Sequence, residues 1–112
     1  MGADSTLVFY GVRFSTNESE SEALQGNTDE RVRRAREHQL AHWWGSFSLD
    51  PVNEQMYLLI GAIIGHIGHE GAYELQVRDN EYQTIVAQTK TKLAAAGFKD
   101  EPALFIQFEP DY

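Results

Sequence analysis

The amino-acid sequence predicts an α+β domain of the ferredoxin-like split βαβ class, with four antiparallel strands and two helices on one face of the sheet. Two segments, 28–43 and 79–96, have apolar residues at helical spacing. Apolar stretches typical of strands precede the first helix, follow the second and form a pair between them. The resulting element order is β-α-β-β-α-β, and we expect residues 1–112 to form a single domain.

The first strand and the first helix follow from local composition. Residues 7–14, LVFYGVRF, are aromatic and β-branched, which is typical of a strand. Asp29 and Glu30 then occupy the first turn of a predicted helix, where the helix dipole favours acidic side chains. One face of this helix, continued to Trp43, would carry Val32, Ala35, Gln39, Leu40 and Trp43.

The middle of the chain predicts a β-hairpin. Residues 57–65, YLLIGAIIG, are apolar on both faces of a strand, and their length and glycines lead us to interpret them as a strand at one edge of the sheet. Residues 72–78 alternate between apolar and polar side chains, as a strand with one buried face does. The glycine- and histidine-rich segment 65–71 would be the turn between them, and 46–55 a long connection.

The end of the chain predicts a second helix and a last strand. The helix over 79–96 begins at Asp79 or Asn80 and is followed by Gly97, a residue suited to helix termination. Residues 103–109 alternate and are followed by Pro110.

Strand alternation also predicts which side chains face the helices. The helix-covered face would take Val8, Tyr10, Val12, Tyr73, Leu75, Val77, Leu104, Ile106 and Phe108. The opposite face would carry Phe9, Arg13, Glu74, Gln76, Arg78, Phe105, Gln107 and Glu109.

Composition excludes several classes of function. The chain has 17 acidic residues against 9 Lys plus Arg, a formal charge of −8, which disfavours nucleic-acid and anionic-membrane binding. It has no cysteine, which excludes disulfides and thiolate chemistry. The apolar stretch 56–67 is too short for a membrane-spanning helix, and no secretory signal is recognisable, so we expect a cytoplasmic protein.

The positive charge of the chain concentrates on the first predicted helix. Arg31, Arg34, His38 and His42 would form a ladder along one helix flank. Because guanidinium groups bind carboxylates and phosphates through paired donors, this ladder is a candidate site for an anion or an acidic partner segment. The alternative is an ordinary solvated helix face.

The four histidines raise the question of a metal site. His38 and His42 have helical i,i+4 spacing, and His66 and His69 flank the predicted turn. The predicted fold places the two pairs at opposite ends of the sheet, so they cannot share one zinc ion. His66 and His69, with acidic residues nearby, are the better metal candidates.

Two further surfaces are candidates for binding. Arg13, Glu74, Arg78 and Glu109 would lie on the sheet face away from the helices, as polar contacts for a ligand. Trp44, Tyr57 and Leu59 would form an interface at the apolar edge strand, which otherwise needs a loop to cover it.

These features favour binding over catalysis. No nucleotide-binding loop, serine-hydrolase motif or zinc-protease motif occurs, and no cofactor is implied. We expect a small acidic interaction or regulatory module, either an inhibitor-like partner of a basic protein or a homodimer. The alternatives are a small-molecule-binding or enzymatic domain of the dimeric α/β-barrel type and a histidine-based metal-binding domain.

Overall fold

Four strands and two principal helices make up the described part of the chain, which comprises residues 5–46, 55–68 and 72–109 of a computed structural model. The elements are β1 (Ser5–Thr16), a 3₁₀ turn (Glu18–Glu20), α1 (Ser21–Gln25), α2 (Glu30–Glu37), β2 (Ala41–Ser46), β3 (Met56–Gly68), α3 (Asp79–Ala95) and β4 (Ala103–Glu109). Among these residues no helix is long and apolar enough to cross a membrane.

The strands form one open antiparallel sheet with the order β2-β3-β1-β4. β1 pairs along its whole length with β3, from Ser5 opposite Gly68 to Thr16 opposite Met56. On its other side β1 pairs with β4. The prediction of an α+β fold with a four-stranded antiparallel sheet is therefore confirmed.

The first helix is shorter than predicted, and the prediction of a helix over 28–43 is wrong in its second half. α2 ends at Glu37, and Gln39 adopts a left-handed φ of 59°. The N–H of Leu40 then donates to the carbonyl of Ala35 at 2.8 Å, which closes the helix end. The chain leaves this turn in an extended conformation and forms β2, which contains both tryptophans.

The predicted hairpin is also wrong, because the strand that pairs with β3 precedes it. β2 pairs with β3, from Ala41 opposite Gly61 to Ser46 opposite Met56. β3 thus lies inside the sheet between β2 and β1, and the expectation that 57–65 is an edge strand is wrong. Residues 72–78 are not a strand and make only an isolated bridge between Ile67 and Ala72.

The helices cover one face of the sheet and build the larger core there. Val12, Leu58 and Ile60 project from the inner strands and are buried against both helices. α2 contributes Val32 and Ala35 to this core, while α3 and the residues after it contribute Leu93, Ala96 and Phe98. α2 packs on β2 and β3, and α3 packs on β1 and β3.

The opposite face of the sheet curls over itself. The Trp43 and His66 rings meet edge to face with centroids 5.4 Å apart, although Trp43 is paired with Leu59, seven residues before His66. A straight strand of that length would span roughly 23 Å, so β3 has to bend across this face. Leu7, Phe9 and Leu59 are fully buried in the resulting second cluster, with Ala41, Trp43 and Phe105 packed against it.

A pair of glycines makes the close approach of β1 and β3 feasible. Gly11 lies directly opposite Gly61. A Cβ atom on Gly11 would lie 2.1 Å from the Ile60 carbonyl oxygen, and one on Gly61 would lie 2.1 Å from that of Tyr10. Neither position can therefore carry a side chain without moving the two backbones apart.

Candidate functional site

Arg31, the first residue of the predicted positive ladder, is engaged inside the protein. It forms an ion pair with Glu20 and a bidentate one with Asp29, at 3.0 Å from Nε to Oδ1 and 3.0 Å from Nη2 to Oδ2. Asp29 also caps α2, and its hydrogen bonds with Arg31 lower the pKa of its carboxyl. The Arg31 guanidinium lies 5.4 Å from the centre of the Phe14 ring. These contacts join the 3₁₀ turn, α2 and β1.

The rest of the ladder does not continue along one helix. The Arg34 guanidinium lies over the Phe98 ring at 4.4 Å and donates from Nη1 to the Ala96 carbonyl at 3.2 Å, so it ties α2 to the end of α3. His38 is the residue that follows α2, and His42 lies on β2. Burial and the nearby Arg36 lower the pKa of His42, which favours a neutral ring. The anion-site hypothesis for these four residues stays a prediction.

The four residues predicted to share a ligand face are not gathered there. Arg13 lies between the Tyr57 and Phe105 rings, 4.5 Å and 5.0 Å from their centres. Glu74 belongs to the segment that is not a strand, and Arg78 directly precedes α3. Glu109 is the last residue of β4. The prediction that Glu74 and Arg78 belong to the sheet face is wrong.

Of the predicted interface residues, Tyr57 and Leu59 lie on the inner strand β3, whereas Trp44 lies on the outer strand β2. Leu59 has 0% of its surface exposed. Trp44 packs against the helix-side core and donates from Nε1 to Thr16 Oγ1 at 3.1 Å. Tyr57 is half-buried beneath Arg13. Their role as an interface stays a prediction.

The metal hypothesis gains no cluster of ligands. His66 packs on Trp43, whereas His69 lies outside the described residues. In residues 5–46, 55–68 and 72–109, no group of three or more His, Cys, Asp or Glu side chains is placed to hold an ion.

An exposed apolar strip on β4 is the feature of the surface that most needs an explanation. Leu104, Ile106 and Phe108 project from one face of the strand and are 45%, 62% and 42% exposed. They lie opposite Tyr10, Val8 and Thr6 of β1, on the side of the sheet that carries the helices. We call these three residues the β4 strip. β4 is also an outer strand, with β1 as its only neighbour in the described sheet.

The strip remains exposed because of where the helices lie. α2 packs mainly on β2 and β3 and α3 mainly on β1 and β3, so the main helix contacts lie away from β4, and α3 approaches the strip through Asp79 and Tyr82 beside Leu104. Contiguous apolar surface of this kind on a small acidic domain usually marks a site of interaction.

A cavity adjoins the strip. It has a volume of about 240 Å³ and is lined by Val8, Ile64, Val77, Asp79, Tyr82 and Leu104. Four of these six lining residues are aliphatic, and Asp79 and Tyr82 are the other two. Tyr82 meets Tyr10 edge to face at 6.2 Å. A cavity of this volume accommodates one or two side chains of a partner.

The surroundings of the strip are acidic. Asp100 and Glu101 are exposed just before β4, and Glu109 is its last residue. Burial, followed by the neighbouring Tyr82 and Glu101, raises the pKa of Tyr10, which lies opposite Leu104 on β1. Lys99 is the last basic residue of the sequence. The exposed apolar strip is therefore accompanied by Asp100 and Glu101 just before β4, and the sequence has a further acidic residue, Glu109, as the last residue of the strand.

A second groove lies beside β2, near the edge of the sheet opposite β4. It has a volume of about 360 Å³, and both tryptophans, His42, Val32 and three residues of the 24–27 turn line it. The groove is not predictable from the helical spacing of residues 28–43, which places His42 and Trp43 on a helix. No local signal marks it, since it forms only when β2 pairs with β3.

Strand alternation correctly predicts that Leu104, Ile106 and Phe108 lie on the helix side of the sheet. The prediction that the helices bury them is wrong. Alternation within a strand reveals which residues share a face, whereas the cover over that face depends on helix placement. No protein-family model, curated protein or solved structure matches this chain at a significant level.

Proposed function

We propose that this protein is an acidic interaction module that binds a basic partner protein through the β4 strip. The observation that carries the proposal is the exposure of three large apolar side chains on one face of an outer strand. Aromatic and aliphatic anchors at the centre of an interface supply most of its binding energy, and complementary charge around them guides and orients the partner.

The fold supports this proposal. We also assign the chain to the ferredoxin-like split βαβ class, supported by the way β3 lies between β1 and β2 and by the helices that follow β1 and β3. The curled face opposite the helices buries Leu7, Phe9 and Leu59 within the chain, which leaves the β4 side as the larger uncovered apolar surface in the described residues. A cytoplasmic location remains part of the proposal.

The test compares two isoleucine-to-aspartate variants. Ile106→Asp places a charge in the middle of the strip, whereas Ile63→Asp makes the same change at an Ile of similar exposure, 46%, on β3 opposite Phe9 of the curled face. We expect wild-type protein and the Ile63 variant to retain the same basic protein from a lysate of the source cells. Retention should weaken at least about tenfold for the Ile106 variant, as for a central interface residue.

The retained protein is then identified by mass spectrometry, and binding is repeated with both purified proteins at rising salt. Because exposed charge pairs are screened by salt, affinity should fall as salt rises. Equal retention by the two variants, or a partner without excess positive charge, would refute the proposal.

A small-molecule ligand is the second candidate function, and the groove on the β2 side favours it. Both tryptophans of the chain line that groove beside His42, whose pKa is lowered. A ligand bound there would change tryptophan fluorescence, and the change should persist in Ile106→Asp. A screen of small metabolites that leaves the fluorescence unchanged counts against this candidate.

A further inference from the structure

The outer edge of β4 lacks the devices that usually keep an edge strand from pairing. Seven residues, Ala103–Glu109, are extended and contain neither proline nor a basic residue. Their register with β1 runs without a bulge from Gly11 opposite Ala103 to Ser5 opposite Glu109. Natural proteins block such edges with lysines, prolines, bulges or a covering segment. Within residues 5–46, 55–68 and 72–109, no strand pairs with the outer side of β4, so its backbone groups there can accept another strand.

The length available to an added strand is defined by the sequence. Pro102 and Pro110 come immediately before and after β4, and proline cannot donate a ladder hydrogen bond. The seven residues between them match the length of one ordinary strand.

Charge distinguishes between the two strands that could occupy this edge. Two copies of β4 paired about Ile106 would place Glu109 of one copy opposite Ala103 of the other, next to its Asp100 and Glu101. Acidic ends would then meet at both ends of the pair, between two chains of formal charge −8. An extended segment with basic ends removes this repulsion and gains attraction at the same positions.

We infer that β4 binds its partner by strand addition, taking up an extended partner segment with apolar side chains on one face and Lys or Arg at its ends. This inference rests on the proposed function and specifies how the partner binds. Backbone hydrogen bonds along the outer edge provide affinity, and alternate apolar side chains of the segment lie beside the β4 strip. Its basic ends lie near Asp100 and Glu101 at one end of β4 and near Glu109 at the other.

The experiment uses the full chain and two synthetic peptides. The probe is the acetylated, amidated nonapeptide KVTVTVTVK, which alternates and has a lysine at each end. The matched control has the same side chains, with every interior amide N-methylated so that its backbone cannot donate hydrogen bonds. We expect the probe to bind at least about tenfold more tightly than the control, and Ile106→Asp to weaken probe binding by a similar factor.

Amide hydrogen exchange locates the bound probe. Alternate amides of 103–109 should exchange at least about tenfold more slowly when the probe is bound, because only every second N–H of an edge strand faces outward. Amides of β2, the other outer strand, should keep their exchange rates. The same protection pattern should appear with the identified partner protein.

Three results would overturn strand addition. The first is equal binding of the two peptides, or none of either. The second is protection outside β4. The third is a wild-type dimer, seen by sedimentation, with alternate β4 amides already protected and Ile106→Asp monomeric, which would assign the edge to a second copy of the chain.

The proposed function can fail separately. If the identified partner needs Ile106 but leaves the β4 amides unprotected, the strip binds the partner without strand addition. If no basic partner depends on Ile106, the proposed function itself is refuted.

Discussion

The two outer strands of the sheet differ in whether their bulky apolar side chains are covered on the helix side. In β2, Trp44 turns to the helix side and packs on the main core, while Trp43 turns to the curled face and meets His66. In β4, Leu104, Ile106 and Phe108 all turn to the helix side and remain exposed. The difference shows that the position of α2 and α3, rather than strand composition, decides which edge is covered.

Substitution at the glycine pair should have the largest effect, because both outer strands depend on the inner pair β1 and β3. Gly61→Ala would place a Cβ 2.1 Å from the Tyr10 carbonyl oxygen. We expect a loss of about 3 kcal/mol or more in the free energy of unfolding, measured by chemical denaturation, at the upper end of what overpacking costs.

Gly45→Ala on β2 is the matched control for the glycine pair. The nearest atom to its added methyl group would be Trp43 Nε1 at 3.5 Å, an ordinary contact. If both variants were equally stable, the close approach of β1 and β3 would not be a requirement of the fold.

Truncation of one side chain on each outer strand tests the comparison directly. Trp44→Ala removes a ring packed on the core together with its hydrogen bond to Thr16. We expect it to cost about 2–4 kcal/mol of unfolding free energy, whereas Ile106→Ala should cost less than about 1 kcal/mol. Similar costs for the two variants would mean that the β4 strip is covered within the chain.

The end of α3 should show an intermediate effect. Gly97 has a φ of 88°, and Phe98 N–H donates to the Leu93 carbonyl at 3.0 Å. Gly97→Ala forces a side chain into this left-handed position and should cost about 1 kcal/mol, measured by thermal unfolding. Lys99→Ala, at an exposed residue two positions on, should leave the melting temperature nearly unchanged.

Protonation of His42 should have the smallest effect. Its pKa is lowered in the folded protein, first by burial and then by Arg36, so the unfolded chain takes up a proton at a higher pH than the folded one does. The free energy of unfolding should therefore decrease as the pH falls from about 7.5 to 5.5. This range runs through the unfolded pKa of about 6.5 towards the lower pKa of the folded protein. Replacing His42 with Gln should flatten this part of the stability curve; an unchanged slope would assign the effect to other groups.

Local signals predicted the elements of residues 79–109 well. α3 begins at Asp79 and ends before Gly97, and β4 occupies 103–109 as predicted. Gly97, which follows α3, adopts a left-handed φ that glycine allows, and the sequence reveals such a residue directly.

The predictions for residues 28–78 were wrong at the places where a local sequence pattern is compatible with a different tertiary arrangement. Leu40 and Trp43 continue the helical spacing of α2, but Gln39 takes the left-handed conformation usually left to glycine, and the chain turns into β2. Residues 72–78 alternate like a strand, yet β2 already occupies the edge of β3. Leu75 instead packs against Gly65 of β3, so that a Cβ atom added to Gly65 would lie 2.7 Å from Leu75 Cδ1. Alternation there indicates packing on the sheet rather than pairing within it.

The exposure of the β4 strip could not be predicted from sequence, because it too depends on tertiary arrangement. The residue types of the β4 strip were placed on the correct face, but their exposure depends on helices that pack on other strands. The predicted positive ladder shows the opposite error. Helical spacing predicts Arg31 and Arg34 on the surface, whereas in the fold they donate hydrogen bonds to Asp29 and to the Ala96 carbonyl.

The central place of β1 also affects how the protein is made. β1 comes early in the sequence, yet both of its neighbours come later, β3 from the middle and β4 from residues 103–109. During translation at roughly 5–20 residues per second, this apolar strand waits several seconds before either partner has been synthesised. The time for which this strand is unpaired is therefore set by translation speed rather than by the stability of the finished fold.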